Sequence, residues 1–531
     1  MKKVREQGLK KNLIYNIVYQ VVVVLSPLVV TPKFSRIMGP DYVGLRSFTY
    51  SIVFYFAVIG ALGLDMYGQR RIAIVKDDKA ERSKVFWSIY TVKAASCFIS
   101  LCVYACAFVL FNSDATMRIL YLCWTLYLVR EMLNPVWYLQ GVERFRLVSL
   151  VNIFSQIAYV ACVFLFVNQK SDLWLYIVFY TAIPLFVALL FLVPVLTDVQ
   201  RVRLNKKELA TTIKESFVYF VPTIAGSLYS MIDKTMLGFF DKSQVTTGYY
   251  EQAEKLVKVA LAFVTASFTI IRTRMSYVCK NKPEEEYRAY SKIFITFSMF
   301  ICWPIVFGII GIARDFVPLF FGDGYDSVVG LAYVFVSIIP CLTISGLLQA
   351  IYTFPQGLQN KVNVYYVIVL GVNCVLNMCL IPFFQSHGAV VASICSELLL
   401  AVILLIKSRK SIEIKLFLTT SIRYIIAAAV MLVPMYFVSI TSLGLLARVC
   451  IEFICGCATY FVACILLRDK FFIEQLKRVF SVLTRGKRKA AAPSPVTEAA
   501  AEAEIQAEVK AELQANEQGE EPLNKGSGDE I

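Results

Sequence analysis

The sequence predicts an all-α polytopic membrane protein with about fourteen transmembrane helices. Three observations predict it. The chain is 58% hydrophobic and 17% charged, too apolar for a soluble protein of 531 residues. Its apolar residues fall into about fourteen long runs, and the first, Leu13 to Val30, approaches the roughly 20 residues a bilayer crossing requires. Lys and Arg gather in every second gap. Arg70, Arg71, Lys76, Lys79, Arg82 and Lys84 fill one, while Asn112 to Thr116 fills the next with no cation. That alternation follows the positive-inside rule and sets both termini in the cytosol.

The spans follow in order. The first six are expected at about 12–35, 42–64, 87–111, 118–140, 147–167 and 173–196. Arg201, Arg203, Lys206, Lys207 and Lys214 then mark a cytosolic linker, residues 201–214, after an N-terminal six-helix lobe at 1–200. A second lobe, 215–410, repeats the rhythm with spans at about 217–240, 256–278, 293–313, 328–350, 362–384 and 388–406. Two appended helices, about 422–440 and 443–467, complete the membrane region at 411–468. A basic juxtamembrane segment, 469–489, precedes an acidic tail, 490–531. The tail's ten acids against Lys510 and Lys525, with its Ala/Glu/Pro bias, read as disordered and cytosolic.

Lys2, Lys3, Arg5, Lys10 and Lys11 before an apolar run resemble a signal peptide. No small-residue cleavage site follows, only Pro27, Pro32 and Lys33, so the run is expected to be retained as a helix. The two prolines remove backbone bonds and mark a candidate hinge. The halves read as a parallel repeat about an axis along the membrane normal. Gly44 follows a Gly39-Pro40 turn, and Gly248-Tyr249-Tyr250 holds the matching place. Tyr138-Leu139-Gln140-Gly141-Val142-Glu143 matches Phe354-Pro355-Gln356-Gly357-Leu358-Gln359.

Composition also excludes. A pI near 9.1 would suggest nucleic acid in a soluble protein; here the cations flank membrane ends, and the anionic inner leaflet is the partner. Most of the fifteen cysteines lie in apolar runs, no CxxC pair occurs, and His387 is the single histidine. A zinc site, a disulfide framework and a bound cofactor are not expected. The external gaps are short and hold no nucleophile–base arrangement; Asp323 and Asp326 flank Gly324-Tyr325 and read as a turn. An enzyme is not expected.

Several strings resemble the polysaccharide transporter family, the Wzx-type oligosaccharide flippases of the multidrug/oligosaccharidyl-lipid/polysaccharide superfamily. They are Lys11-Asn12, Pro32, Arg36, Gly39-Pro40 and Val43-Gly44 at the start, then Leu62-Gly63-Leu64, Tyr67-Gly68 and Arg70-Arg71-Ile72-Ala73. Trp137 with Gln140-Gly141, and Asp233-Lys234 with Met236-Leu237-Gly238, complete the set. The resemblance covers about residues 10–467. It implies two lobes around a central cavity and movement of undecaprenyl-pyrophosphate-linked sugars from the inner to the outer leaflet of the cell membrane. It also implies coupling to a proton or sodium gradient, and polysaccharide polymerase or assembly proteins as partners. A multidrug/cation antiporter and a lipid II flippase are the alternatives. Lys33 and Arg36, with no acid beside them in the first span, favour an anionic substrate.

Such a substrate needs cations for phosphate and amides or aromatics for sugar, and charges inside a membrane are costly enough to require a partner or a cavity. The candidates for substrate are Lys33, Arg36, Arg46, Arg130, Trp137, Lys234 and Lys258. For Lys33 and Arg36 the competing reading is snorkelling to outer headgroups. Arg130 and Glu131 are neighbours on one helix, about 100° apart, and cannot pair simply. Glu131, Asp233 and Glu397 are the candidates for ion coupling. Glu254 and Lys255 read as a solvated loop face, and Glu452 as a partner of Arg448 one turn away. Arg272 and Arg274 read as topology signals, and Asn134, Tyr138, Gln140, Gln349 and Tyr352 as possible sugar contacts.

Overall fold

The structure, a computed structural model, describes residues 2–477. The acidic tail, most of the basic juxtamembrane segment and the side chains of the N-terminal cations lie outside the described residues. Within them the chain is helical and has no strand. The first half comprises α1 (Lys2–Ala61), α2 (Leu64–Ile74), α3 (Lys79–Tyr104), α4 (Ala115–Leu133), α5 (Val136–Gly141), α6 (Phe145–Phe166) and α7 (Leu173–Asp198). The second comprises α8 (Lys206–Phe240), α9 (Val245–Asn281), α10 (Glu284–Phe321), α11 (Asp326–Phe335), α12 (Ile338–Leu348) and α13 (Gln359–Ser408). Then follow α14 (Ile414–Ala429), α15 (Leu432–Ser439) and α16 (Leu445–Leu466). Among the described residues, nine helices are long and apolar enough to cross a membrane, or ten if α11 and α12, bent by 41°, form one span. The protein is a multi-pass membrane protein.

Two long helices are interrupted. α1 breaks at Gly39 (φ 75°, ψ 171°), immediately before Pro40, and α13 breaks at Gln385 (φ 51°, ψ −128°). Pro27 and Pro32 stay within helical backbone, so the break in α1 falls at the Gly39-Pro40 step and not at the expected proline hinge. The fourth span also stops early. Asn134 turns extended (ψ 112°) because the following Pro135 disfavours helical geometry, and α5 restarts beyond it. Conversely, α9 begins at Val245, so Glu251, Glu254, Lys255 and Lys258 are helical residues and not a loop approaching the expected span at 256.

Among the described residues, three apolar clusters pack inside the bundle. One joins α1, α4, α6 and α7 through Met38, Val53, Trp124, Val163 and Ile177. A second lies around Leu64, Phe86, Trp137, Tyr138 and Phe191. The third, in the second half, gathers Leu237, Tyr250, Leu331, Ile339 and Val390. Large apolar side chains left outside, such as Phe111, Val218, Ile270 and Phe383, are those a hydrocarbon solvent would cover.

The two matched glycine pairs have different physical reasons. Gly44 and Gly248 pack against each other: a Cβ on Gly44 would fall 1.8 Å from the Gln244 carbonyl oxygen, and one on Gly248 1.9 Å from that of Pro40. Gly141 is helical and lies close to Ile72, whereas Gly357 occupies a left-handed turn (φ 67°). The equivalent turn residue in the first half is Glu143 (φ 61°), since Arg144 N–H bonds to the Leu139 carbonyl as Leu358 N–H bonds to that of Thr353, both at 2.8 Å. The turns correspond two residues away from the string match.

The chain divides at Ala463 into two compact units. In the second, the helix ends at Leu466, Arg468 is left-handed, and Asp469 accepts the Phe472 N–H at 2.8 Å to start a last helical stretch.

Candidate functional site

Charges that the sequence scatters over the chain converge inside the bundle. The largest group lies where α1 meets α8 and α9. Glu251 is buried on α9 and accepts from Ser47 at 2.9 Å, from Lys255 at 3.2 Å and from Lys234 on α8; Arg46 stands at 3.6 Å. Glu254, one turn on, takes Lys234 and Lys258, each at 2.7 Å. Arg46 also faces the rings of Tyr50 and Tyr180 at 5.3 Å and Tyr176 at 5.9 Å. The structure therefore brings Arg46, Lys234 and Lys258 together, each held by a carboxylate. Glu254 and Lys255 belong to this network and not to a solvated loop face, because α9 starts eleven residues earlier than its apolar run suggests. Beside it, Tyr55 contacts Thr235 at 2.9 Å, and Thr235 donates to Ser51 at 2.8 Å.

The corner leading into α9 is fixed by Asp241, which lies between the spans. Its carboxylate accepts from the Ser243 and Thr246 amides and hydroxyls. Burial pushes that carboxyl up, but these hydrogen bonds outweigh it and hold it below the ordinary aspartate value.

A second group surrounds Asp233. Tyr250 and Asn377 each donate to it at 2.6 Å, and Ser393 donates as well. Asn377 donates in turn to Asn373 at 3.1 Å, while its own side-chain oxygen has no donor. The Asn377 Nδ2 therefore lies between the Asp233 carboxylate and the Asn373 oxygen, and the carboxylate is satisfied by an amide and two hydroxyl donors. Glu397 sits apart, accepting from Tyr229 at 2.6 Å with its other oxygen unpartnered.

The third group was missed by sequence reasoning. Lys93 on α3 is fully buried and bridges Asp65 at 2.6 Å and Glu131 at 3.0 Å. The signal was present, since Lys93 is the single charge in the predicted span 87–111. Glu131 is thus a partner of Lys93. Arg130 beside it is half-buried over the Tyr127 ring at 5.5 Å and, among the described residues, has no carboxylate within ion-pair distance.

The remaining candidates lie elsewhere. Lys33 donates to the Phe164 carbonyl and to Asn168 at 3.1 Å, and Arg36 donates to the Leu319 carbonyl at 2.5 Å, satisfying the end of α10. Trp137 is buried against Phe86 and Gly68, with no open ring face. Arg272 covers the Phe354 ring at 3.7 Å. His387 is exposed. Arg448 pairs with Asp315 at 2.9 Å and not with Glu452, whose two oxygens lack a donor. Their helices, α10 and α16, are brought together by the fold, which the one-turn spacing along α16 could not reveal.

Comparison with known proteins fits this architecture. A family described as "Polysaccharide biosynthesis protein" matches residues 9–271. A protein of Escherichia coli (strain K12) named "Putative O-antigen transporter" is 24% identical over 415 residues, spanning 76% of this chain and 97% of that one. Over residues 9–271, just under half of its length, the chain is similar to the polysaccharide biosynthesis protein family. Another relative, "Probable low-salt glycan biosynthesis flippase Agl15" of Haloferax volcanii, is 25% identical over 33% of this chain and 37% of its own. Among solved structures, "Lipid II flippase MurJ, inward closed conformation" aligns with a TM-score of 0.67 at 16% identity, over 85% of this chain and 99% of that one. A multidrug resistance MATE family transporter in an inward-facing conformation aligns at 0.55 and 12% identity, over 74% and 94%. These likenesses show that the chain shares the MurJ/MATE-type fold.

Proposed function

We propose that this protein is a flippase that moves an undecaprenyl-pyrophosphate-linked oligosaccharide, a cell-surface polysaccharide repeat unit, from the inner to the outer leaflet of the cell membrane. The observation that carries the reading is the similarity that runs along nearly the whole of an O-antigen transporter. Arg130 supplies the local chemistry: a guanidinium at membrane depth with no ion-paired carboxylate among the described residues is costly unless an anion visits it, and its fork suits pyrophosphate oxygens.

The proposed topology has fourteen crossings and cytosolic termini. It counts α1 and α13 twice each, at their breaks, and joins α4 with α5, α11 with α12 and α14 with α15. Lobes at 1–200 and 215–410 rock about their shared face, exposing the sugar-pyrophosphate first inward and then outward. Lys33, Arg36 and Arg46 exchange their present protein partners for phosphate during the cycle. Coupling runs through Asp233, whose occupation by a sodium ion or a proton would redraw the hydrogen bonds to Asn377, Ser393 and Tyr250. Glu131 and Glu397 are further proton sites. Polymerase or assembly proteins would receive the product.

A reconstituted flipping assay with fluorescent undecaprenyl-pyrophosphate oligosaccharide, run beside a cationic dye, tests the reading. Lipid flipping that collapses in Arg130→Ala supports it. Dye export without lipid flipping would replace it with a cation antiporter.

A further inference from the structure

The corner between α13 and α14 encloses a cleft that none of the proposed transport steps uses. It measures about 360 Å3 and is lined by Arg288, Arg409, Lys410, Glu413 and Lys415, among others; small-ligand sites commonly run about 300–1,000 Å3. Two of these charges are already satisfied. Arg288 holds Glu284 at 2.6 Å, and Glu413 holds Lys292 at 2.8 Å. Among the described residues Arg409, Lys410 and Lys415 have no carboxylate partner, so three cations face the cleft uncompensated.

The corner is also built to stay in place. Ser411 and Ile412 N–H groups bond to the Ser408 carbonyl at 2.9 and 3.0 Å, and the Ile412 side chain is buried. α14 then starts at Ile414 with no side-chain cap, which leaves first-turn N–H groups and the positive helix end available to an anion beside Ile414 and Lys415. From Lys415 outward, Leu418, Ile422 and Ile426 recur every four residues along α14, and all three are exposed. Cations at a corner with an apolar strip rising from it match an amphiphile whose head is a phosphate and whose tail is hydrocarbon.

We infer that this cleft binds the phosphate of a membrane lipid headgroup, with the lipid chain lying along Leu418, Ile422 and Ile426. A bulk anionic glycerophospholipid and a polyprenyl phosphate share this chemistry.

Native mass spectrometry of the full chain in detergent tests it. The protein is incubated separately with phosphatidylglycerol, undecaprenyl monophosphate and phosphatidylcholine, and the bound fraction is read for each. One of the two anionic lipids is retained and phosphatidylcholine is not. The Arg409→Ala/Lys410→Ala/Lys415→Ala variant binds about a hundredfold more weakly, since each surface cation near anionic lipid is worth about 1 kcal/mol. A Lys206→Ala/Lys207→Ala variant, basic positions at the start of α8, binds as wild type. Retention of undecaprenyl monophosphate alone assigns the cleft to carrier lipid; retention of phosphatidylglycerol assigns it to bulk lipid. Equal binding by the triple variant and wild type, or an equal loss in the α8 control, overturns the inference. The readout is binding and not transport, so it stands or falls apart from the flippase reading.

Discussion

Gly44 and Gly248 hold matching places in the two halves and pack backbone to backbone, with the Pro40 and Gln244 carbonyls where their side chains would be. No rotamer change can relieve a Cβ that meets a backbone oxygen below 2 Å. Gly44→Ala must therefore separate α1 from α9 or fail to fold tightly. Overpacked contacts cost about 1–3 kcal/mol, and a backbone clash falls at the upper end. The melting temperature in detergent is expected to fall in Gly44→Ala and in Gly248→Ala, whereas Gly308→Ala, at an open position, leaves it unchanged. An unaltered melting temperature in both packed-glycine variants would contradict the contact.

Lys93 presents the opposite problem, a buried cation between two acids. Lys93→Met removes the bridge and strands Glu131 in the bundle and the more exposed Asp65 beside it, a loss of at most about 3–5 kcal/mol, the cost of breaking one side of a fully buried pair. The yield of folded protein, followed by fluorescence-detected size exclusion, should drop sharply. Adding Asp65→Asn and Glu131→Gln removes the stranded charges and should restore most of it. If the triple variant is as poor as the single, charge balance is not what Lys93 supplies.

Those two cases mark what the sequence makes legible. Hydropathy and cation spacing expose the membrane class and most spans because each is a local property of a run. The Gly39-Pro40 break is local too. The polar groups are not: Arg46 reaches Glu251, and Lys33 reaches Asn168, across more than a hundred residues, and helix rotation decides which face of a span meets which neighbour. Charge inventory flagged Asp233, Lys234 and Glu131 without naming their partners. Lys93 escaped because a single lysine in an apolar run reads as noise until Asp65 is placed beside it. The string match between Gly141 and Gly357 misled by two residues, since one glycine answers to the Ile72 side chain and the other to a positive φ.

Arg130 and Arg46 should separate under mutation. Arg46 is tied to Glu251 and three tyrosines, so Arg46→Ala disturbs a packed network and lowers the melting temperature along with flipping. Arg130 faces the Tyr127 ring and, among the described residues, makes no ion pair, so Arg130→Ala should leave the melting temperature where it is. Its flipping rate should fall about ten- to a hundredfold, the worth of a charge-assisted hydrogen bond of roughly 1.5–3 kcal/mol. A stability loss equal to that of Arg46→Ala, with flipping lost in proportion, would make Arg130 a structural residue.

Glu452 offers a gain. It is fully buried on α16, neither of its oxygens meets a donor, and Arg448, its nearest cation along the helix, is committed to Asp315. An unsatisfied buried group costs about 1–3 kcal/mol. Glu452→Gln keeps the volume and brings two donors toward the orphaned Asp315 oxygen. The variant should melt higher than wild type, while Arg448→Met, which leaves both acids without a cation, should melt lower. A lower melting temperature in Glu452→Gln would mean that its carboxyl is held by a contact made in another state of the transporter, and that its burial here records one conformation of a moving group.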